Sequence, residues 1–322
     1  FQMKKLSLLA VVVMALFSCA KNEGEQEVIS HEHALNRGCA SHTVLQQQLE
    51  ADPGLQARMD AIEAFTEEAL RSGDSILLPN GNIQIPVVFN VLYKTNAQNI
   101  SQAQLQSQID VLNADFAALN SEYGSIPAAF SGVASGATGI EFVLHSIVRK
   151  KTNKTSWQTN DAMKKTSQGG INPTTPTTKL NIWVCNLAGG ILGYAQFPGG
   201  ASATDGVVLD DNATGNTGTA SAPFNKGRTA THEVGHWLNL RHIWGDATCG
   251  SDLVSDTPTH NTANYGCPAQ PHYSTCSGAP REMTMNYMDY TDDACMYMFS
   301  GGQKSRMQAT FAVGGPRNSF AQ

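Results

Sequence analysis

Four residues carry the plainest chemistry in this chain: His232, Glu233, His236 and His242, in the run His-Glu-Val-Gly-His-Trp-Leu-Asn-Leu-Arg-His from 232 to 242. Two histidines four apart on a helix share a face, one turn from each other, so their imidazoles can converge on one metal ion. Glu233 stands beside the first and can reach a water held there. His242 can join only if the chain turns back sharply, and Asn239 is where that turn can be made. Three neutral nitrogen donors with a position left for water is the ligand set of a hydrolytic zinc ion. Glu233 would take the water's proton as it attacks a carbonyl carbon and pass it to the leaving amine. Nine histidines in 322 residues would produce this pattern by chance in fewer than ~1 in 1,000 chains, so scattered solvated histidines are a poor account of it.

The residues need a helix to carry them and a frame to hold it. The site helix is expected to begin near Lys226 and end at Asn239. Before it the sequence alternates between strand and helix patterns. Ile83 to Tyr93 is β-rich and nearly continuous, as in a buried strand, with Pro86 placing its start near an edge or bulge. Ser101 to Gln104 reads as a capping box opening a helix with Leu105, Ile109, Leu112 and Phe116 on one face. Further strands are predicted over 139–148, 179–187, 192–197 and 206–209. After the site helix the pattern is almost irregular. A cleft between two such halves suits an extended substrate.

At 322 residues, with 41% hydrophobic and 15% charged side chains, the chain has room for a proper core. Its net charge of −6 gives no electrostatic case for nucleic acid, and a monomer is expected. Residues 1–19 read as a signal: Met3 as initiator, Lys4-Lys5, an apolar run from Leu6 to Phe17, then Leu-Phe-Ser-Cys ending at Cys19, similar to a bacterial lipobox. Export from a bacterial cell is expected, as an outer-membrane or cell-surface lipoprotein or as a secreted protein. The run is too short to span a bilayer as a permanent helix, so membrane contact is expected only through a lipid on Cys19. Residues 20–72 are assigned as tether and pro-segment. Its first part, to about residue 40, is polar. Asp52-Pro53 then starts a helix with Leu55, Met59, Ile62 and Phe65 on one stripe. The flexible run from Arg71 to Ser75 is a plausible proteolytic nick, leaving 73–322 as the catalytic domain.

The stretch 232–242 resembles the metzincin signature HExxHxxGxxH, and within that clan the chain is similar to the pappalysin family. Asn239 stands where most metzincins have glycine, and asparagine is the next residue to tolerate a left-handed turn. Met285 to Tyr290 resembles the family's methionine turn. The resemblance makes Met288 the apolar base beneath the zinc and Tyr290 a hydrogen-bond donor to the oxyanion. Residues 192–198, 227–231 and 295–299 with Gln303, Arg306 and Met307 extend the likeness over roughly 80–310. It implies an α/β (α+β) fold of two subdomains: a twisted mixed sheet with helices over about 80–240, and an irregular, disulfide-stapled half over 241–322. It implies a zinc endopeptidase acting on protein or peptide substrates, with the edge strand before the site helix pairing with substrate backbone. The competing function is a metal-binding surface protein that has lost catalysis. A degenerate copy would most easily lose Glu233 and Tyr290, and both are present.

Of seven cysteines, Cys249, Cys267, Cys276 and Cys295 bracket the irregular loops, and in an exported protein such loops need staples. Four cysteines allow three pairings; the family resemblance favours Cys249–Cys276 and Cys267–Cys295. Cys185, in an apolar strand, reads as an inert buried thiol. Arg37-Gly38-Cys39 resembles a cysteine switch, in which Cys39 ligates zinc in the latent precursor, with His31, His33 and His42 as rival ligands. Asp252, Ser255, Asp256, Thr257 and Thr259 place hard oxygen donors where resembling enzymes bind calcium, with Asp246 as another contributor. Some relatives prefer a basic residue after the scissile bond, using an acid near the chain end. No Asp or Glu follows Asp293, so no such preference is carried over.

Overall fold

The computed structural model describes residues 36–72 and 82–321. The signal, Cys19, His31, His33 and the nick region from residue 73 lie outside the described residues. Five strands form one sheet in the order β2-β1-β3-β5-β4, from β1 (Ile83–Tyr93), β2 (Ile140–Lys151), β3 (Leu180–Cys185), β4 (Gly193–Ala195) and β5 (Val207–Asp210). Four run parallel; β4 lies antiparallel to β5 at the edge. β1 lies between β2 and β3 and is buried on both faces, which explains its unbroken apolar run. Pro86 sits where β1 pairs with β2 alone, one residue before the ladder to β3 begins at Val87 and beside a register shift. Its missing N–H therefore interrupts no bond to β3.

Helix α3 (Gln102–Phe116) starts on Ser101, whose hydroxyl accepts from Gln104 N at 3.1 Å. The reciprocal half of the expected capping box is not made. The Gln104 side chain reaches instead to Thr214 O and Thr219, fastening the loop that leads to the site helix. Together α3 and α4 (Arg228–Trp237) cover one sheet face, with Leu105, Ile109, Leu112 and Phe116 in the same apolar cluster as Val234 and Trp237. Trp157, Met163, Trp183 and Tyr194 fill the second cluster.

Two helices depart from the sequence reading. Helix α1 (Ser41–Ala51) occupies a stretch with no helix signal, and its N-cap, Ala40, offers no side-chain cap. Burial of Val44 against the second cluster holds it. Helix α2 (Leu55–Ser72) starts two residues after Pro53, because Asp52 closes a turn onto Gly54 N at 3.0 Å. Its stripe lies over the catalytic chain: Met59 and Ile62 face Gly199, and Phe65 faces Gly314. Beyond the site helix the chain is mostly irregular, as its composition suggests, but α5 (Gly301–Ala309) is a helix with a full capping box between Ser300 and Gln303. Glu63 of α2 takes both terminal nitrogens of Arg306 on α5, at 2.7 and 2.8 Å. The bonded pairs in the irregular half are Cys249–Cys276 and Cys267–Cys295.

Candidate active site

Helix α4 is anchored at its start by charge. Arg228 is buried and bonds Glu122 and the Asp293 carbonyl, while Asp293 Oδ2 accepts from the Lys226 and Arg228 amides. The helix runs from Arg228 to Trp237, two residues short at each end of the expected span, with Gly227 at φ 75° before it. Asn239 takes φ 70°, and the turn it makes brings His242 back beneath the helix. The Nε2 atom of His236 then lies 3.2 Å from that of His232 and 3.0 Å from that of His242.

The opposite ring nitrogens are all engaged. His232 Nδ1–H donates to Tyr287 O at 2.7 Å, His236 Nδ1–H to Leu240 O at 2.8 Å, and His242 Nδ1–H to Asp246 Oδ1 at 2.5 Å. Carbonyl oxygens accept only, so the tautomer is set and Nε2 carries the lone pair. Burial holds His232 well below its ordinary pKa and takes His236 down to about 3, with the neighbouring imidazoles adding to both. The three Nε2 atoms therefore face one point, an arrangement that suits a cation. Ligand bonds of 2.0–2.1 Å in a tetrahedron would separate nitrogens by roughly 3.3 Å, close to what is found. The donor set fits zinc.

Cys39 lies beside this group. Its Sγ is 3.6 Å from His236 Nε2, and a zinc–sulfur bond of 2.3 Å predicts a tetrahedral edge of about 3.6 Å. Among the described residues, Cys39 and these histidines are the group of at least three ligating side chains with donor atoms within 4.8 Å of one another. His42 lies away from them, half-exposed beside Asp246. The segment around Cys39 runs parallel to β4, with Leu192 N donating to Gly38 O at 2.8 Å and Ala40 N to Gly193 O at 3.0 Å.

Glu233 faces the same point. Burial pushes its carboxyl up to about 7, although bonds from Ser41 and Cys39 oppose the rise. The Ser41 hydroxyl donates to Glu233 Oε2 at 2.7 Å and accepts from Ala195 N at 2.8 Å. Gly193 leaves room for the carboxylate, since a Cβ there would lie 3.0 Å from Glu233 Cγ. Met288 packs under α4 at Gly235, where a Cβ would come 2.5 Å from its sulfur. Tyr290 stands perpendicular to the His242 ring at 4.9 Å and donates its hydroxyl to Cys39 O at 3.2 Å. Burial, with Cys39 and Glu233 nearby, keeps that phenol protonated.

Arg37, two residues before Cys39, is buried. Its guanidinium pairs with Asp293 Oδ1 at 2.5 Å, donates to Thr291 O and Thr229 Oγ1 at 3.1 Å each, and lies over Phe224. Asp293 is thus an acid buried against this guanidinium, although no Asp or Glu follows it in the chain. Asp252 and Asp256 do not share a partner. Asp252 accepts from Thr257 Oγ1 and Val254 N, whereas Asp256 accepts from Ser300 Oγ and Gly302 N at the start of α5. Asp246 serves His242. In the sequence Asp246 is a calcium candidate; here it and Leu240 O each accept from a histidine four residues before them. Ser41, Gly193 and the Tyr287 carbonyl carried no local sequence signal, because each is defined by what it touches from elsewhere in the chain. Cys185 is buried in β3.

Residues 175–312 match the family model described as pregnancy-associated plasma protein-A, a peptidase family. An extracellular metalloprotease of Pyricularia oryzae is 32% identical over 265 residues, covering 78% of this chain and 83% of that protein. One from Verticillium alfalfae is 34% identical over 248 residues, covering 73% and 79%. A solved point mutant of Tannerella forsythia promirolysin superposes with a TM-score of 0.80 at 40% identity, covering 88% of this chain and 97% of that one. Mature mirolysin in complex with a cleaved peptide gives 0.72 at 44% identity, covering 74% and 96%.

Proposed function

The chain belongs to the pappalysin family of metzincins and is a zinc metalloendopeptidase; we propose that it is made as a latent, exported precursor that cuts peptide bonds beside basic residues. The observation that carries the catalytic reading is the convergence of three Nδ1-anchored imidazoles beside Glu233. His232, His236 and His242 would hold the zinc ion, which when bound acidifies water and polarises a carbonyl. Glu233, beside the three imidazoles, is the base that takes a proton from the attacking water and returns it to the leaving amine. Tyr290, protonated and aimed at the same point, donates to the developing oxyanion. Met288 is the apolar floor. Edge strand β4, whose Gly193 O and Ala195 N are taken by Ala40 and Ser41 in the precursor, would offer those backbone groups to an extended peptide once the pro-segment leaves.

Latency rests on residues 36–72. Cys39 occupies the corner that water would take, and Ser41 ties down Glu233. In support, the promirolysin match extends over more of this chain than the mature mirolysin match does. We place removal of the pro-segment near Arg71 or a little after, leaving 73–322. Export fits relatives that are named extracellular, and a lipid on Cys19 remains part of the proposal through its lipobox-like run. A catalytically silent surface protein is disfavoured by the presence of both Glu233 and Tyr290. A calcium ion on Asp252 and Asp256 would have to share carboxylates that already accept from protein donors.

Specificity follows from Arg37. When the pro-segment leaves, the pocket ending at Asp293 is left with a buried carboxylate and the Phe224 face, which suits a lysine or arginine of the substrate. The test is to digest a proteome-derived peptide library with processed enzyme, Glu233→Gln and Asp293→Asn. Cuts beside basic residues are expected from the first, none from the second, and a flattened preference from the third. Cleavage that survives Glu233→Gln or zinc chelation refutes the catalytic reading; an unchanged preference in Asp293→Asn refutes the pocket.

A further inference from the structure

Tyr290 presents a problem that the catalytic reading leaves open. The hydroxyl's acceptor is the carbonyl of Cys39, which belongs to the segment that must leave. Something else has to hold the ring in place once that bond is gone, or a freely rotating phenol would spend little time near the oxyanion. The main chain is fixed at one end, since Asp289 Oδ1 accepts from Tyr290 N and from Asn264 N at 2.8 Å each. That leaves the side-chain torsions.

Trp244 meets the requirement. Its ring lies flat on His242, centroids 4.4 Å apart and planes 8° from parallel. Tyr290 stands edge-on to Trp244, at 4.7 Å and 79°. One indole face therefore braces a zinc-site histidine while Tyr290 abuts the stacked pair. The local chain makes this possible: Ile243 N bonds Met288 O at 3.1 Å, and Gly245 N returns to His242 O at 2.8 Å. Gly245, at φ 63°, closes the turn where a Cβ would come 2.4 Å from Ser251 O. The turn folds Trp244 back over His242 and leaves it buried. Perpendicular aromatic contacts of this kind are favourable and directional, so they restrict where the ring can point.

We infer that Trp244 is a positioning residue for the catalytic step, holding the Tyr290 phenol over the zinc-site histidines after the pro-segment has gone. The inference rests on the reading of Tyr290 as the oxyanion donor. Its test is a double-mutant cycle in processed enzyme obtained from the full chain: Trp244→Leu, Tyr290→Phe and the pair, with Trp244→Phe as the conservative variant, each assayed for kcat, KM and bound zinc. Tyr290→Phe should lower kcat ~100-fold, the usual loss for an oxyanion donor. Trp244→Leu should lower kcat ~10-fold with KM changed less than ~2-fold, and in the Tyr290→Phe background its effect should shrink below ~2-fold, since residues in one network are not additive. Trp244→Phe should recover most of kcat. Zinc should stay at one ion per chain throughout.

An equal loss in both backgrounds, or a fall in bound zinc, would mean that Trp244 acts through His242 or the fold, and the inference fails. A damaged Tyr290→Phe with an unimpaired Trp244→Leu overturns the inference alone. A fully active Tyr290→Phe overturns the catalytic reading and the inference with it. Should Trp244→Leu not fold, the same cycle run with Trp244→Phe expects a ~2- to 3-fold kcat loss that vanishes beside Tyr290→Phe, and an undiminished loss there is refutation.

Discussion

Replacing Cys39 alone should not fully open the precursor, because Ser41 holds the base independently. In Cys39→Ala the sulfur leaves its corner, but the Ser41 hydroxyl still sits 2.7 Å from Glu233 Oε2 and Arg37 still pairs with Asp293 at 2.5 Å. A hydrogen bond to a charged group is worth about 1.5–3 kcal/mol, or ~10–150-fold in the population with Glu233 free. Cys39→Ala is therefore expected to hydrolyse peptide measurably but at least ~10-fold below the processed enzyme, and Cys39→Ala/Ser41→Ala to recover roughly that factor. Ser41→Ala alone should stay silent, since the thiol still fills the site. The assay is the initial rate on a quenched fluorescent peptide over the first minutes, with gels showing the pro-segment intact and metal analysis confirming zinc. An intact Cys39→Ala precursor as fast as processed enzyme refutes the Ser41 contribution. A Ser41→Ala precursor as active as the double variant would move latency off the thiol.

Three other perturbations follow from the packing. Gly235→Ala drives a methyl to 2.5 Å from Met288 Sδ, so chemical unfolding should show a loss of about 1–3 kcal/mol; wild-type stability would mean that Met288 has room to move. Glu63→Ala strips the buried Arg306 of its bidentate partner and should speed cleavage within α2 by an added protease, with Glu63→Asp slower to be cut than Glu63→Ala. Burial raises Asp210 from 3.8 to about 7. The folded state therefore keeps a proton that the unfolded chain has lost, and stability falls as pH rises across that window, by at most ~4 kcal/mol at ~1.4 per unit. Asp210→Asn should flatten the stability-versus-pH slope between pH 4 and 7, measured by urea unfolding. Asp115 and Asp252, each raised to about 6 chiefly by burial, leave a residual slope of the same sign, and an unchanged slope in the variant would contradict the assignment.

Periodicity served where one element buries one face. The unbroken run of β1 and the apolar stripe of α3 were legible because each element's contacts are repeated along it. Helix α1 was not, since Val44 is buried in an apolar cluster most of whose members, Trp157, Trp183 and Tyr194 among them, lie over a hundred positions away. Helix α5 was missed for a different reason: Ser300 and Gln303 do spell a local capping box, but the segment after them contributes few apolar residues in register.

At the site itself, the sequence alone determined the donor types, the spacing that puts His232 and His236 on one face, and the need for a turn at Asn239. Those are local properties, set by helix geometry and by which residues tolerate positive φ. Tertiary structure decided the rest. It supplied the three oxygen acceptors that turn the imidazole lone pairs inward, the Ser41 bond that ties down Glu233, and the Asp293 pocket that Arg37 fills. The His232–Tyr287, Ser41–Glu233 and Arg37–Asp293 contacts join residues distant in the chain, while Leu240 O and Asp246 lie four residues from their histidines and reach them through the turns at Asn239 and Gly245. A hydrogen bond or ion pair depends on distance in space, which spacing along the sequence does not by itself encode.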